Sequence, residues 1–171
     1  MFDPSRDQSR RFFVESWRKH KNREVQTQLE IIAADLVAHH PEYHPLIDDP
    51  DGIHKEFSPE DGQINPFLHL SLHLAVEEQL SINQPPGIRE AFEQCQAKRG
   101  DRHAALHDVL ECLGETIWRA QRDKAPLDGL AYVESIRKRP ESVNGASGAA
   151  PFHPHELASA FFLVRSAASH P

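Results

Sequence analysis

Hydrophobic positions along this chain recur at helical spacing, and no stretch shows the alternation of a strand. From Asp7 to Lys21, Phe12, Phe13, Val14 and Trp17 mark one apolar side. From Glu24 to His39, Leu29, Ile32, Ala33 and Leu36 mark another, and Pro41 disfavours helical geometry at His40, which predicts an end there. Asn65-Pro66 reads as a helix start, because Asn caps well and Pro suits the first helical position. That helix should run to about Ser81, with Ser71 and Glu78 toward solvent and Leu68, Leu70, Leu72 and Leu74 making the rest apolar. Ile88 to Arg99 predicts a short helix with Ala91, Phe92 and Cys95 inward, closed by Gly100. Asp101 caps the next helix, which reaches about Asp123 on an apolar side of Leu106, Val109, Leu110, Leu113 and Ile117. A last short helix starts at Ala125-Pro-Leu-Asp, packs through Leu130, Tyr132, Val133 and Ile136, and stops at Pro140.

These elements predict an all-α fold, a single antiparallel helical bundle of four main helices plus short ones over residues 1–140. Asp48 to Ile64 is expected to be a loop covering one end of the bundle, with His54 exposed. Residues 141–171 form a Ser/Gly/Ala-rich, flexible tail with room for one short helix around Phe161, Phe162 and Val164. His153 and His155 lie in that tail and are left out of any site.

Polar residues on apolar faces change the picture. His69, His73 and Glu77 stand at successive i, i+4 steps, and His103, His107 and Glu111 repeat the order. Chance alone gives roughly 0.07 such patterns in a chain of this composition. A buried imidazole needs a hydrogen-bond partner, and a buried carboxylate needs a countercharge or a metal. Side chains at i and i+4 lie one above the other, so each stripe can chelate one ion. Glu111 lies toward the polar face of its helix, and Trp118, on the His side, is placed to wall the site off from water.

The same spacing also permits a ladder with no metal. On antiparallel neighbours His73 would meet His107, His69 would meet Glu111, and Glu77 would meet His103. His40 and His44 form a third pair across the His40-Pro-Glu-Tyr-His44 corner, either as a ligand at the helix end or as a corner where His40 caps backbone carbonyls. Glu30 is a weaker candidate beside the second helix's apolar face.

Composition sets outer limits. Two cysteines, Cys95 and Cys112, make no disulfide framework, and core packing is expected of Cys112. No apolar run reaches membrane-spanning length and the N-terminus lacks signal-peptide character, so a cytoplasmic protein is expected. The net charge of -7 disfavours polyanion binding overall. The segment from Met1 to Glu24 has seven basic residues against four acidic ones, interleaved with aromatics, which is the one route to nucleic acid.

From about Arg10 to Arg139 the chain resembles an uncharacterised bacterial family known as domain of unknown function 1841. The residues that carry this are His40-Pro-Glu-Tyr-His44, Asn65-Pro-Phe-Leu-His69-Leu-Ser-Leu-His73-Leu-Ala-Val-Glu77, Gln84-Pro-Pro-Gly-Ile88, and His107 through Glu111-Cys-Leu-Gly-Glu115. The resemblance implies a small bacterial protein and supplies no activity. More loosely, the stripes are similar to those of hemerythrin-type and damage-inducible-type bundles, where His and Glu hold iron, zinc or nickel. The Glu-x-x-His signature of diiron carboxylate proteins appears in neither stripe.

Two readings follow. The first is divalent metal binding by His69, His73, Glu77, His103 and His107, with His40, His44 and Glu111 in second place; this nitrogen and oxygen set suits zinc, iron, nickel or manganese. The second is a non-enzymatic adaptor or regulatory bundle with a structural His-Glu core, acting through its basic first helix or the Gln84-Pro-Pro-Gly87 turn. Neither specifies a reaction, a partner or an oligomeric state.

Overall fold

The computed structural model describes residues 4–58, 63 and 65–139. All regular structure among them is helical. The expectations for residues 141–171 lie outside the described residues. The chain divides into two compact units, residues 1–74 and 75–171, and the division falls inside one helix.

In the first unit, α1 (Pro4–Lys21) packs on α2 (Gln28–Ala38), and α3 (His44–Asp48) follows after a 3-10 turn over Pro41–Tyr43. The start expected at Glu24 moves to Gln28. Glu24 pairs with Arg18, while Thr27 caps α2 through a capping box with Glu30, which also pairs with Lys19 at 2.7 Å. Such a cap contributes about 1 kcal/mol. The buried face of α2 carries Ala33, Ala34, Leu36 and Val37, and Leu29, expected there, is exposed.

The 48–64 stretch is not all loop. It begins at the end of α3 and includes a second 3-10 turn over Gly52–His54. A Cβ at Gly52 would sit 2.1 Å from the Leu46 carbonyl oxygen, so only glycine fits. His54 is exposed as expected. Arg10 ties this segment down: its buried guanidinium donates to the carbonyls of Ile53 at 2.8 Å and Lys55 at 2.9 Å. Its neighbours on α1 are also engaged, Arg6 with Glu56 and Lys21 with Asp48, while Phe13 and Trp17 are buried in the core with Leu36, Ile47 and Leu70.

α4 (Pro66–Ile82) opens as expected, with the Asn65 side chain accepting from the N–H groups of Phe67 and Leu68. Its residues up to Leu74 belong to the first unit. Ser71 is buried, against the expectation of a solvent side there, whereas Glu78 is exposed.

The second unit takes the rest of α4 together with α5 (Ile88–Arg99), α6 (Arg102–Asp123) and α7 (Gly129–Arg137). α5 ends as expected at Gly100, in left-handed geometry with φ 70°. Asp101 and Asp128 cap α6 and α7 by accepting from Ala104 and Ala131. Ile88, Phe92, Val109, Leu113, Ile117 and Ile136 are buried. Leu130, expected to pack, is 84% exposed. Trp118 shields no site: it is 43% exposed, with the Arg122 guanidinium over its ring at 4.7 Å.

Candidate metal centre

In the first unit the site begins where α2 stops. Ala38 is the last helical residue, His39 caps the end, and Pro41 keeps His40 out of helical geometry at φ −123° and ψ 66°. The His40 ring turns back under α2, and its Nδ1 lies 2.7 Å from the Leu36 carbonyl oxygen. A carbonyl only accepts, so Nδ1 carries the proton and Nε2 of the neutral ring carries a lone pair. His40 is 2% exposed, and the Tyr43 ring stacks on it at 5.2 Å. Burial pushes the Tyr43 phenol up to about 12, so it stays neutral.

α4 brings His69 and His73 to the same place. The Nε2 atoms of His40 and His69 are 3.2 Å apart, and so are those of His69 and His73. The rings meet edge to face, with centroids 4.8 to 5.0 Å apart. His73 is fully buried and His69 half-buried.

Neutral imidazoles satisfy only one of these two contacts well. If His69 Nε2 carries a proton, it donates to His40 and has no lone pair in the ring plane for His73. If it carries the lone pair, it accepts from His73 and opposes the lone pair of His40. A cation can take a lone pair from both rings of either contact. With metal–nitrogen bonds of 2.0–2.1 Å, neighbouring ligand nitrogens stand about 2.9 to 3.4 Å apart, which brackets the observed spacing.

His44 sits apart from this cluster. Its Nε2 donates to the Val37 carbonyl at 2.9 Å and its ring stacks on Trp17 at 4.6 Å. The capping expected of His40 is present through Nδ1, and His44 caps a carbonyl as well.

In the second unit, His103 and His107 lie one turn apart on α6, half-buried, with ring centroids 4.3 Å apart. The glutamates of both stripes are held by arginines. Both oxygens of Glu77 accept from Arg102, at 2.8 and 2.9 Å. Glu111 accepts from Arg139 at 2.9 Å. Asp108, buried between them in sequence, takes a two-pronged bond from Arg99, one prong at 2.7 Å. An arginine-bound carboxylate has its charge already met and its oxygens occupied. Glu30 is likewise committed, to Lys19 and Thr27.

The cysteines stand in the same ion-pair surroundings. Cys95 donates to Asp108 at 3.6 Å, and Arg139 Nε donates to Cys112 Sγ at 3.3 Å. Both thiols are buried, and burial, reinforced by Asp108, pushes Cys95 up to about 11.

Sequence reasoning missed Arg102 and Arg139 as partners of the two glutamates, Tyr43 as the wall behind His40, and the Leu36 carbonyl that orients it. Only Tyr43 left a signal, inside the His40-Pro-Glu-Tyr-His44 corner. Arg102 is 25 residues from Glu77, and no helical spacing connects them.

No curated protein and no solved structure matches the chain. A match to the family described as Domain of unknown function (DUF1841) covers residues 5–138, which takes in His40, His44, His69, His73, His103 and His107. The chain belongs to that family.

Proposed function

We propose that this protein binds a divalent metal ion through neutral imidazoles, with His40, His69 and His73 as the ligands supplied by the first unit. The observation that carries the reading is the pair of Nε2–Nε2 contacts at 3.2 Å, His40 to His69 and His69 to His73, with one proton position fixed by the Leu36 carbonyl. The second unit carries an i, i+4 pair of its own, His103 and His107, half-buried on α6. Glu77 and Glu111 take the part of arginine partners in this reading, and His44 that of a carbonyl cap. The ligand set is then all-nitrogen and uncharged, which suits zinc, nickel, copper or iron and moves away from manganese, an ion of carboxylate sites.

The test is metal analysis by plasma mass spectrometry on untagged protein, with His40→Ala, His69→Ala and His73→Ala beside it. Near-stoichiometric metal, lost in each variant, is the expected result. Metal-free protein that takes up no zinc, nickel, copper or iron would overturn the reading. It would leave the histidine cluster in a structural role.

A further inference from the structure

The second unit contains a cavity of about 420 Å³ that none of the histidines line. We propose that it binds a small aliphatic amine, with the hydrocarbon body inside and the ammonium group against Glu78.

The walls come from the C-terminal half of α4, the turn at Pro85, the middle of α6 and the start of α7. Ala75, Glu78, Gln79 and Ile82 supply one continuous stripe, at the i, i+3, i+4, i+7 positions of α4. Leu113, Leu127 and Pro85 close the apolar interior. The volume falls in the range of pockets that enclose small ligands. Ile82 is 54% exposed at the rim, an apolar side chain the fold does not cover.

The polar groups of the lining decide the ligand's chemistry, and most are already spent. The Tyr132 phenol, 2% exposed, donates to Gln79 Oε1 at 2.8 Å. Thr116 donates to the Cys112 carbonyl at 2.7 Å, and Ser81 to the Glu78 carbonyl at 2.7 Å. Beside the neutral amides of Gln79 and Gln84 there remain an apolar body and one ionised group, because Glu78 is the only charged residue among the described lining residues. A carboxylate at the mouth of an apolar cavity repels fatty acids and other organic anions. It attracts an ammonium group, which keeps most of its water at the exposed rim while the alkyl chain leaves water behind.

Full-length protein titrated with hexylamine, 1-hexanol and hexanoate, followed by calorimetry and by the methyl signals of Ala75 and Ile82, tests this. The amine is expected to bind about fivefold more tightly than the alcohol, and hexanoate most weakly. Glu78→Gln should erase the amine's advantage and leave hexanol binding unchanged. Thr116→Phe fills the cavity and should abolish binding of all three; Ile82→Trp at the rim is the second blocking variant should that one fail to fold. Amine bound no better than alcohol would overturn the proposal. So would amine binding that survives the blocking variants, since the ligand would then be reading only the chain's net charge of -7.

Discussion

In the first unit His40, His69 and His73 meet nitrogen to nitrogen, while in the second the acidic residues of α6, Asp108 and Glu111, each meet an arginine. The His-x-x-x-His-x-x-x-Glu spacing is the same on α4 and α6. The spacing guarantees only that three side chains share one side of a helix. What they do depends on what each one meets. His69 and His73 meet an imidazole whose proton is committed to a carbonyl, an arrangement that could hold a cation. Glu77 meets Arg102, an arrangement complete in itself.

The sharpest way to break that comparison is to exchange the roles. His73→Ala should lower metal affinity by at least about a hundredfold, measured by competition with a chromophoric chelator, because a lost ligand costs more than a lost outer partner. Glu77→Gln should leave metal affinity where it was. The reverse pattern would return Glu77 to the ligand set and dissolve the distinction between the two stripes.

On the second unit's side the largest effect belongs to Asp108. It is 6% exposed, and removing it leaves Arg99 unpaired in a partly buried position, with Cys95 without its acceptor. Breaking a fully buried pair this way costs roughly 3 to 5 kcal/mol. Since Arg99 keeps a quarter of its side chain in solvent, we expect Asp108→Ala to cost about 2 kcal/mol in urea unfolding, with metal content unchanged. A loss below a few tenths would make Asp108 an ordinary surface acid.

The two regions were not equally legible in the sequence. Helix boundaries governed by local chemistry came through: Asn65 with Pro66, Gly100 with Asp101, and the stop before Pro41 all act on neighbours a few residues away. His69 and His73 stood out because polar groups on an apolar stripe contradict their surroundings, and the structure brings them nitrogen to nitrogen with His40 of the corner. What was not legible depends on distant pairing. Arg102 and Arg139 pair with Glu77 and Glu111 across 25 and 28 residues of chain. Ser71 looks like a solvent position by type, yet a helix covered nearly all round buries it; Leu29 and Leu130 look like core by type, yet they lie at helix starts that stay exposed.

A smaller effect separates the two histidines of the corner. His44→Ala removes the bond to the Val37 carbonyl and the stack on Trp17, and should cost about 1 kcal/mol of stability while metal is retained. Loss of metal in that variant would move His44 from cap to ligand, and the corner would then contribute two nitrogens rather than one.

The smallest effect is a pH dependence, and it tests whether the second unit's ion-pair surroundings keep Cys95 neutral. Burial, with Asp108 beside it, raises this thiol from an ordinary 9.0 to about 11. Below pH 9 the thiol is protonated in both folded and unfolded chains, so its contribution to stability is fully present. As pH rises past 9 the unfolded thiol ionises first and draws the equilibrium toward unfolding; the contribution is gone once pH passes about 11. Between about pH 8 and about pH 10 the native chain should therefore lose about 1 kcal/mol more than Cys95→Ala does, in urea titrations run at both values. The difference between the two chains isolates Cys95 from every other group that titrates there, Cys112 included. Equal losses would mean that the Cys95 thiolate is as well accommodated in the fold as in water. The pairing of Asp108 with Arg99 would then leave enough positive charge facing the sulfur to offset its burial.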